Sequence, residues 1–226
     1  MKKTLKSVLS LVLAFVLIFS LVACSDKKDE EETTAEVEEE TTQSMVEEEK
    51  NPDDLLGYTV GKTYYNDYAG FSIEIGDDWE FYSDEEVAKL NGVAMDMVSE
   101  DLANAIEAAG VLYAMYAQDP NTAHNINVTV EPSVVNINAE TRAALQAEQL
   151  PAVYEDMGAT DVVVEATVTK IDGKEFYTCD AQCNIYGLTM YQKVIMIDTE
   201  DYLYAIALTA LDKAGIDEIV KGIKLN

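Results

Sequence analysis

The sequence predicts an α+β fold in which an antiparallel sheet of six or seven strands carries helices on its faces. The main observation is the last third of the chain, where four segments alternate apolar and polar residues as half-buried strands do. These segments span 162–171, 174–186, 188–197 and 202–211, and short turns join them. Because short turns join antiparallel neighbours, we expect a meander. The second observation is a series of helical segments with recognisable start and stop signals.

The elements nearest the start of the folded part follow from local signals. Residues 64–75 alternate apolar and polar positions about a central Ala-Gly turn, a pattern typical of a β-hairpin. Ser83 and Glu86 have the spacing of a capping box, in which each residue satisfies a free amide at a helix start. A helix is therefore predicted from Ser83 towards Gly92.

A second helix and a pair of strands come next. Val98 and Leu102 begin a series of apolar residues at helical spacing, and Gly110 is the predicted stop. Strands are predicted at 111–118 and 124–130, on either side of an Asp-Pro-Asn turn. In the second strand the apolar residues alternate, which places them on one face.

Two further helices complete the pattern. Asn138 can cap a helix that meets Pro151 as a kink or restart and ends at Gly158. Asp212 can cap a terminal helix that packs on the sheet. The apolar stripe of that last helix consists of Ile216, Ile219, Val220 and Ile223.

The first 23 residues have the parts of an export signal. Three lysines precede an apolar run at 8–22, and the small residue Ala23 stands before Cys24. The run is shorter than the roughly 20 apolar residues that a membrane-spanning helix needs, and acidic residues follow it. A transmembrane helix and an ordinary secretory signal with an incidental cysteine are therefore disfavoured.

The end of this signal, Leu-Val-Ala-Cys at 21–24, resembles the lipobox of bacterial lipoproteins. The resemblance implies that the signal is cut before Cys24 and that the Cys24 thiol receives a diacylglycerol. We therefore expect residues 1–23 to be a signal peptide. The mature chain is then expected on the extracytoplasmic face of a cell membrane, anchored by the Cys24 lipid.

Residues 24–56 comprise the lipidated cysteine and an acidic tether. The stretch from Ser25 to Asp54 has fourteen acidic residues against three lysines, and the unit Glu-Glu-Glu-Thr-Thr occurs in it twice. Such a segment, without aromatic residues, buries too little apolar surface to offset the entropy of ordering. We expect a disordered, solvated spacer rather than a dedicated cation-binding or partner-binding tail. Its span is about 30 Å as a coil and about 100 Å when fully extended.

Residues 57–226 have the length of a single globular domain. Acidic residues outnumber basic ones there by 29 to 9, and Arg142 is the only arginine of the chain. Because phosphate binding needs clustered lysine and arginine, nucleic acid is excluded as a partner. The same charge disfavours direct adhesion to anionic lipid headgroups.

Two short motifs near the first hairpin resemble a known family. Residues 65–73 read Tyr-Asn-Asp-Tyr-Ala-Gly-Phe-Ser-Ile, and Gly-Asp-Asp-Trp follows at 76–79. Together they are similar to the opening of PsbP-like lipoproteins, although the proline usual before the tryptophan turn is absent. The resemblance implies an antiparallel sheet sandwiched by helices, in a family whose members are binders rather than enzymes. No binding residue of that family carries over to this chain.

Cys179 and Cys183 are candidates for metal or redox chemistry. On one strand they share a face and lie about 13 Å apart, whereas a disulfide needs Cα atoms within about 7 Å. We therefore expect buried free thiols, and a disulfide would require a local bulge or turn. Zinc needs more ligands than these thiols and His124, which belongs to another strand. No metal or cofactor is expected.

His124 is the only histidine of the chain. It has the parity of Ile126 and Val128, so we expect it at the inner edge of the sheet. As a general base it would need an orienting acid and a nearby nucleophile, and no Gly-x-Ser-x-Gly elbow occurs to supply the latter.

Two groups of acidic residues are candidates for weak calcium binding at loop ends. Neither group has the spacing of a calcium-binding loop, so solvated turn acids are the simpler interpretation. Thirteen tyrosines could also line a groove for a sugar or peptide, although we expect most of them at half-buried strand positions. The two acidic groups are Asp77, Asp78 and Glu80, and Asp198, Glu200 and Asp201.

The sequence thus favours a lipid-anchored extracytoplasmic binding or interaction module without a catalytic role. Its expected partners are the membrane, through the Cys24 lipid, and an envelope protein or small ligand. Two alternatives remain. One is an envelope hydrolase with a cleft around His124, and the other is a calcium-dependent adhesion or scaffold domain.

Overall fold

The computed structural model describes residues 55–92, 102–122 and 124–226. The predicted signal, Cys24, the tether up to Asp54, and Val98 of the predicted second helix lie outside the described residues. The described elements are, in chain order, β1 (Tyr58–Val60), β2 (Thr63–Asn66), β3 (Phe71–Glu74), β4 (Glu80–Phe81), α1 (Asp84–Asn91), α2 (Leu102–Ala109), β5 (Leu112–Gln118), β6 (Asn125–Pro132), α3 (Ala139–Asp156), β7 (Thr160–Ile171), β8 (Lys174–Ile185), β9 (Leu188–Asp198), β10 (Tyr202–Ala210), α4 (Lys213–Lys221) and β11 (Ile223–Leu225).

These strands form two antiparallel sheets. The larger has seven strands in the order β4-β5-β6-β10-β9-β8-β7, and the smaller has four in the order β1-β2-β3-β11. With helices packed against the sheets, the fold is α+β, as predicted. The small second sheet was not predicted. Its outer strands β1 and β11 have only three residues each, which is too short to show a periodic pattern.

Helix boundaries follow the predicted caps. The Ser83 hydroxyl accepts a hydrogen bond from the Glu86 amide, and the Glu86 carboxylate accepts one from the Ser83 amide, which completes the capping box of α1. The Asn138 side chain accepts from the Thr141 amide at 2.9 Å at the start of α3. Pro151 lies inside α3 without ending it.

One face of the seven-stranded sheet packs against the small sheet, α2 and α4. Ile126, Val128 and Val130 of β6 are fully buried on this face, as their alternation predicts. They belong to the same core as Phe71 and Ile73 of β3, which are also fully buried.

The opposite face of the large sheet packs against α3. The buried face of this helix contributes Leu150 and Tyr154, which meet residues of β8 and β9. An ion pair of 2.6 Å joins the guanidinium of Arg142 on α3 to the carboxylate of Glu131 on β6. Burial raises the pKa of Glu131 in spite of this arginine, because desolvation disfavours the charged form.

Two boundaries differ from the sequence analysis. Leu55 is fully buried, so the packed residues begin before Gly57. Ile223 was expected in the stripe of the last helix, but it begins β11 instead. The reason lies at Gly222, where an added Cβ would be only 2.3 Å from the carbonyl oxygen of Glu74. The backbone therefore passes against β3, and pairing with that strand replaces a further helical turn.

Candidate ligand-binding groove

A groove lies between the small sheet, α1 and the start of β5. Its volume is about 450 Å³, within the range of small-molecule sites. Four of the residues on its wall are tyrosines from four different parts of the chain. They are Tyr58, Tyr64, Tyr82 and Tyr113.

Buried hydrogen bonds hold the wall that Leu55 and Leu56 contribute. The Asn66 amide and the Tyr204 hydroxyl donate to the Leu55 carbonyl oxygen at 3.1 and 3.0 Å. The Tyr64 hydroxyl donates to the Leu56 carbonyl oxygen at 2.9 Å. These contacts, which we call the clasp, satisfy two carbonyl groups outside any regular element. They fix Leu55 and Leu56, the first residues that the structure describes, against the rest of the domain.

Gly57 is the next residue of this wall, and only glycine fits at this position. Its φ is +63°, and an added Cβ would lie 2.3 Å from the Tyr65 carbonyl oxygen and 2.8 Å from the Tyr64 hydroxyl oxygen. No side chain fits there without moving backbone. The absence of a side chain also brings the chain close to Tyr64, at the edge of the groove.

The opposite wall depends on an irregularity in β5. The register with β6 shifts between Tyr113 and Met115, so Ala114 is an extra residue in the strand. At this point the Asn91 side chain takes the place of a neighbouring strand. Its carbonyl oxygen accepts from the Tyr113 amide at 2.7 Å, and its amide donates to the Tyr113 carbonyl oxygen at 3.0 Å. The end of α1 is thereby fixed beside the groove.

The groove is largely uncharged. Asp84 is the only charged residue among the described residues of its wall. Burial raises the pKa of Tyr64 and Tyr113 above the usual tyrosine value, so both hydroxyls keep their protons at neutral pH. Apolar contacts come from Leu56, Val87, Leu102 and Met115. The arrangement suits a ligand with an apolar or aromatic part and a neutral or cationic polar part.

His124 lies in a second cleft, of about 460 Å³, with Trp79, Asp119, Thr122 and Glu218. The Thr122 hydroxyl donates to the Asp119 carboxylate at 3.1 Å and accepts from the backbone amide of His124 at 3.1 Å. It is therefore bonded to a carboxylate and a main-chain group, rather than to the imidazole. A nucleophile–histidine–acid order needs the hydroxyl on the imidazole.

The His124 ring instead packs against the first turn of α4. A Cβ added to Gly215 would lie 2.7 Å from the imidazole Cε1. The predicted position at the edge of the inner face is confirmed, since the ring is half-buried on the side where α4 covers the sheet. The close approach shows why a glycine stands in that helical turn.

Cys179 and Cys183 both lie on β8 and are buried, and neither forms a disulfide among the described residues. They point towards α3, within the core that includes Tyr154. Burial raises the pKa of Cys179 to about 12 and also raises that of Cys183. Both thiols are thus protonated and poorly nucleophilic at neutral pH.

The acidic candidates do not converge. Within the described ranges, no group of three or more histidine, cysteine, aspartate or glutamate side chains is close enough to hold a metal ion. Asp77 and Asp78 are exposed at the second cleft. Asp198 has a structural contact, because its carboxylate accepts from the Ala139 amide at 2.8 Å at the start of α3.

The tyrosine content of the sequence predicts that tyrosines could line a groove, but not which tyrosines do so. Asn91 and Ala114 were missed. In the sequence, Asn91 is part of an ordinary helical pattern. Tyr113 and Met115 keep the two-residue spacing of a regular strand, so nothing indicates that Ala114 is an extra residue. The tyrosine content was the only signal for this site that the sequence offered.

Comparisons with known proteins give little further information. No protein family and no curated protein matches the chain, so the resemblance to PsbP-like lipoproteins is not confirmed. Among solved structures, a Bacteroides thetaiotaomicron protein is 12% identical, with a TM-score of 0.41 over 74% of this chain and 48% of its own. LpqN, involved in cell envelope biogenesis of Mycobacterium tuberculosis, is 12% identical, with a TM-score of 0.38 over 69% of this chain and 83% of its own.

A Pseudomonas aeruginosa protein of unknown function is 14% identical, with a TM-score of 0.26 over 42% of this chain and 63% of its own. The chain spans about half the length of the Bacteroides protein. Likenesses this low carry no functional information. Within the described part of the chain, no helix has the length and apolar character needed to cross a membrane.

Proposed function

We propose that this chain is a lipid-anchored binding module on the extracytoplasmic face of a cell membrane, with no catalytic role. The observation that carries the proposal is the tyrosine-lined groove of about 450 Å³. Its volume and its aromatic and apolar wall are typical of ligand sites. Because the groove lies beside the clasp, we expect the ligand near the point where the predicted tether joins the domain.

The lipid on Cys24 and the acidic tether complete the proposal. The tether between Cys24 and the clasp is long enough to hold the domain about 30 Å from the membrane as a coil. Because its charge and that of the domain surface have the same sign, we expect the tether not to fold back onto the domain. The ligand is expected to be neutral or cationic, since an anion would meet Asp84 at the groove and a strongly acidic surface around it.

A ligand screen by thermal unfolding of the full chain tests this proposal. Sugars, short peptides and aromatic amines are added in turn, and a ligand of the groove is expected to raise the melting temperature by stabilising the folded state. The Ala114→Trp variant fills the groove and is expected to abolish the shift. Ala152→Trp, at an exposed position of α3, is the matched control and should keep it. A shift that Ala114→Trp leaves unchanged would contradict the groove as the binding site.

A further inference from the structure

The seven-stranded sheet ends in a long edge strand. β7 has twelve residues and pairs with β8 on one side. None of the described strands pairs with its other side. Apolar side chains are exposed on both faces of this edge. Val163 is 53% exposed on the face opposite α3, and Val168 (49%) lies beside Tyr177 of β8 (40%) on the α3 face. Such an edge is a template for pairing with another strand.

The turn between β7 and β8 determines which backbone groups face outwards. Asp172 and Gly173 have φ values of +48° and +85°, as in the two-residue turn that joins a hydrogen-bonded pair. Ile171 and Lys174 are that pair. Because hydrogen-bonded positions alternate along an antiparallel strand, residues 163, 165, 167, 169 and 171 bond to β8. The amide and carbonyl groups of residues 164, 166, 168 and 170 therefore point away from the sheet.

The devices that usually protect an edge strand are sparse here. Between residues 162 and 169 the only charged residue is Glu165, and its side chain lies on the face opposite α3. The bulge in β7 falls at its start, between Thr160 and Val163, and leaves the rest of the edge regular. There is no proline in the strand. Such an edge is open to pairing with a further strand.

We propose that this edge pairs with β7 of a second copy of the chain, which joins two seven-stranded sheets into one continuous sheet. A two-fold axis perpendicular to the sheet makes two identical strands antiparallel and keeps each face continuous. Two residues that face each other across the axis must then both be even-numbered or both be odd-numbered. Residues whose backbone amide and carbonyl groups point outwards must face residues of the same kind in the second chain.

One register fits these conditions best. Pairing centred on Ala166 places Ala166 opposite its own copy and Val164 opposite Val168 of the second chain. It uses nearly the whole strand, forms about ten hydrogen bonds, as many as a typical protein interface has, and puts no like charges opposite each other. Pairing centred on Glu165 would set two carboxylates face to face, which is unfavourable. Pairing centred on Thr167 is shorter, because it leaves residues 160–162 of β7 without a partner.

Charge makes a distinctive prediction for this dimer. Two strongly acidic domains repel each other, whereas the paired edge itself depends on hydrogen bonds and apolar contacts. Salt screens the repulsion, with a Debye length of about 30 Å at 0.01 M and about 8 Å at 0.15 M. Dimerisation should therefore strengthen as the ionic strength rises, the opposite of an interface held by ion pairs.

Cysteine cross-linking in intact cells tests the register in the full chain. Every variant is made in a Cys179→Ala chain, because Cys179 is opposite Ala166 on β8 and could form a disulfide with a cysteine there. Ala166→Cys then places two thiols at a facing pair about 5.5 Å apart between Cα atoms, which a disulfide can bridge. We expect a covalent dimer after mild oxidation, seen on a non-reducing gel. Val168→Cys alone should give no covalent dimer, since the two cysteines at position 168 are offset by about 13 Å along the strand. Val164→Cys combined with Val168→Cys should restore it. The Cys179→Ala chain without a further substitution measures the background of Cys24 and Cys183.

A second measurement does not depend on cross-linking. The full chain in detergent should have the mass of a dimer by light scattering, with more dimer at high salt. Val168→Pro removes an outward amide and should give a folded monomer, because proline is tolerated at an edge position whose amide faces outwards. Thr169→Pro removes an inward amide and should destabilise the domain itself. A monomer at all salt concentrations, or equal cross-linking of Ala166→Cys and Val168→Cys, would overturn the proposal.

Discussion

At the scale of single residues, the Asn66 side chain connects the start of the described chain to the first hairpin. Its side chain is fully buried, donates to the Leu55 carbonyl oxygen and to the Tyr64 hydroxyl, and accepts from the Ala69 amide at 2.8 Å. One amide thus satisfies groups from the incoming chain and from the turn of the hairpin. A buried polar group without such partners would cost about 1–3 kcal/mol. The clasp therefore anchors the incoming chain to the hairpin.

Gly57 and Gly61 offer a residue-scale prediction, because their φ values are nearly equal, at +63° and +62°. A Cβ at Gly57 would meet a backbone oxygen at 2.3 Å, whereas nothing lies within 4 Å of one at Gly61. Gly61→Ala should cost only the backbone strain, about 1 kcal/mol of the free energy of unfolding. Gly57→Ala should cost about 3 kcal/mol or more, since the backbone must shift as well.

Urea unfolding of the two variants of the full chain measures this difference directly. Gly61→Ala is the matched control, since it tests the same backbone conformation without the steric contact. Equal losses in both variants would mean that Leu55 and Leu56 are not fixed against β2 as described.

At the scale of elements, the local signals of the chain were accurate where an element is long. The caps Ser83, Asn138 and Asp212 begin the helices where they were predicted. The four long strands of the meander also have nearly the predicted bounds. Short elements such as β1 and β11 were not predicted, because three residues are too few to show a periodic pattern of apolar and polar residues. Their strand conformation comes from pairing partners far away in the sequence.

The buried cysteines of β8 give a prediction at this scale. Burial raises the pKa of Cys179 from 9.0 to about 12. The unfolded chain therefore releases this proton at lower pH than the folded chain. The contribution to stability is complete below about pH 9 and is lost as the pH rises towards 12, by about 1.4 kcal/mol per pH unit.

Unfolding free energies measured from pH 8 to pH 10.5 test this expectation. Cys179→Ala should lower stability at every pH but give a shallower decline above pH 9. Leu150→Ala, which opens a cavity in the same core without removing a titratable group, should lower stability and keep the original slope. If both variants have the slope of the parent chain, Cys179 is accessible to solvent in the folded state.

At the scale of the whole molecule, two features act together: a strongly acidic chain and a sheet with one long open edge. The net charge of −28 makes separate copies repel each other at low ionic strength and disfavours anionic ligands. Among the described residues, the groove has a single carboxylate on its wall, and the central part of the edge strand, residues 162–169, has Glu165 as its one charged residue. We infer that the protein binds its ligand at the groove and a second copy of the chain at the edge of β7.

Lipidation is the prediction that concerns the chain as a whole. Cys24→Ala removes the acceptor of the lipid, so the expected result is a chain that no longer fractionates with membranes after detergent-free extraction. Intact mass spectrometry of the parent protein should show the mass of the processed, diacylated chain. A Cys24→Ala chain that stays in the membrane fraction at the same modified mass would contradict the lipid anchor. Cys183→Ala is the control, because it changes a cysteine that α3 buries.

The fold class, the helix caps, the long strands and the buried state of Cys179 and Cys183 could be predicted from the sequence, because they depend on residues within a few positions of one another. Composition and a short motif also predict a charged tether and a lipid anchor. Tertiary contacts were needed to establish that the first hairpin belongs to a separate sheet, that Leu55 is part of the core, and that Asn91 completes a groove beside β5. These features depend on contacts between distant residues, and no local pattern records which distant partner will satisfy a buried polar group.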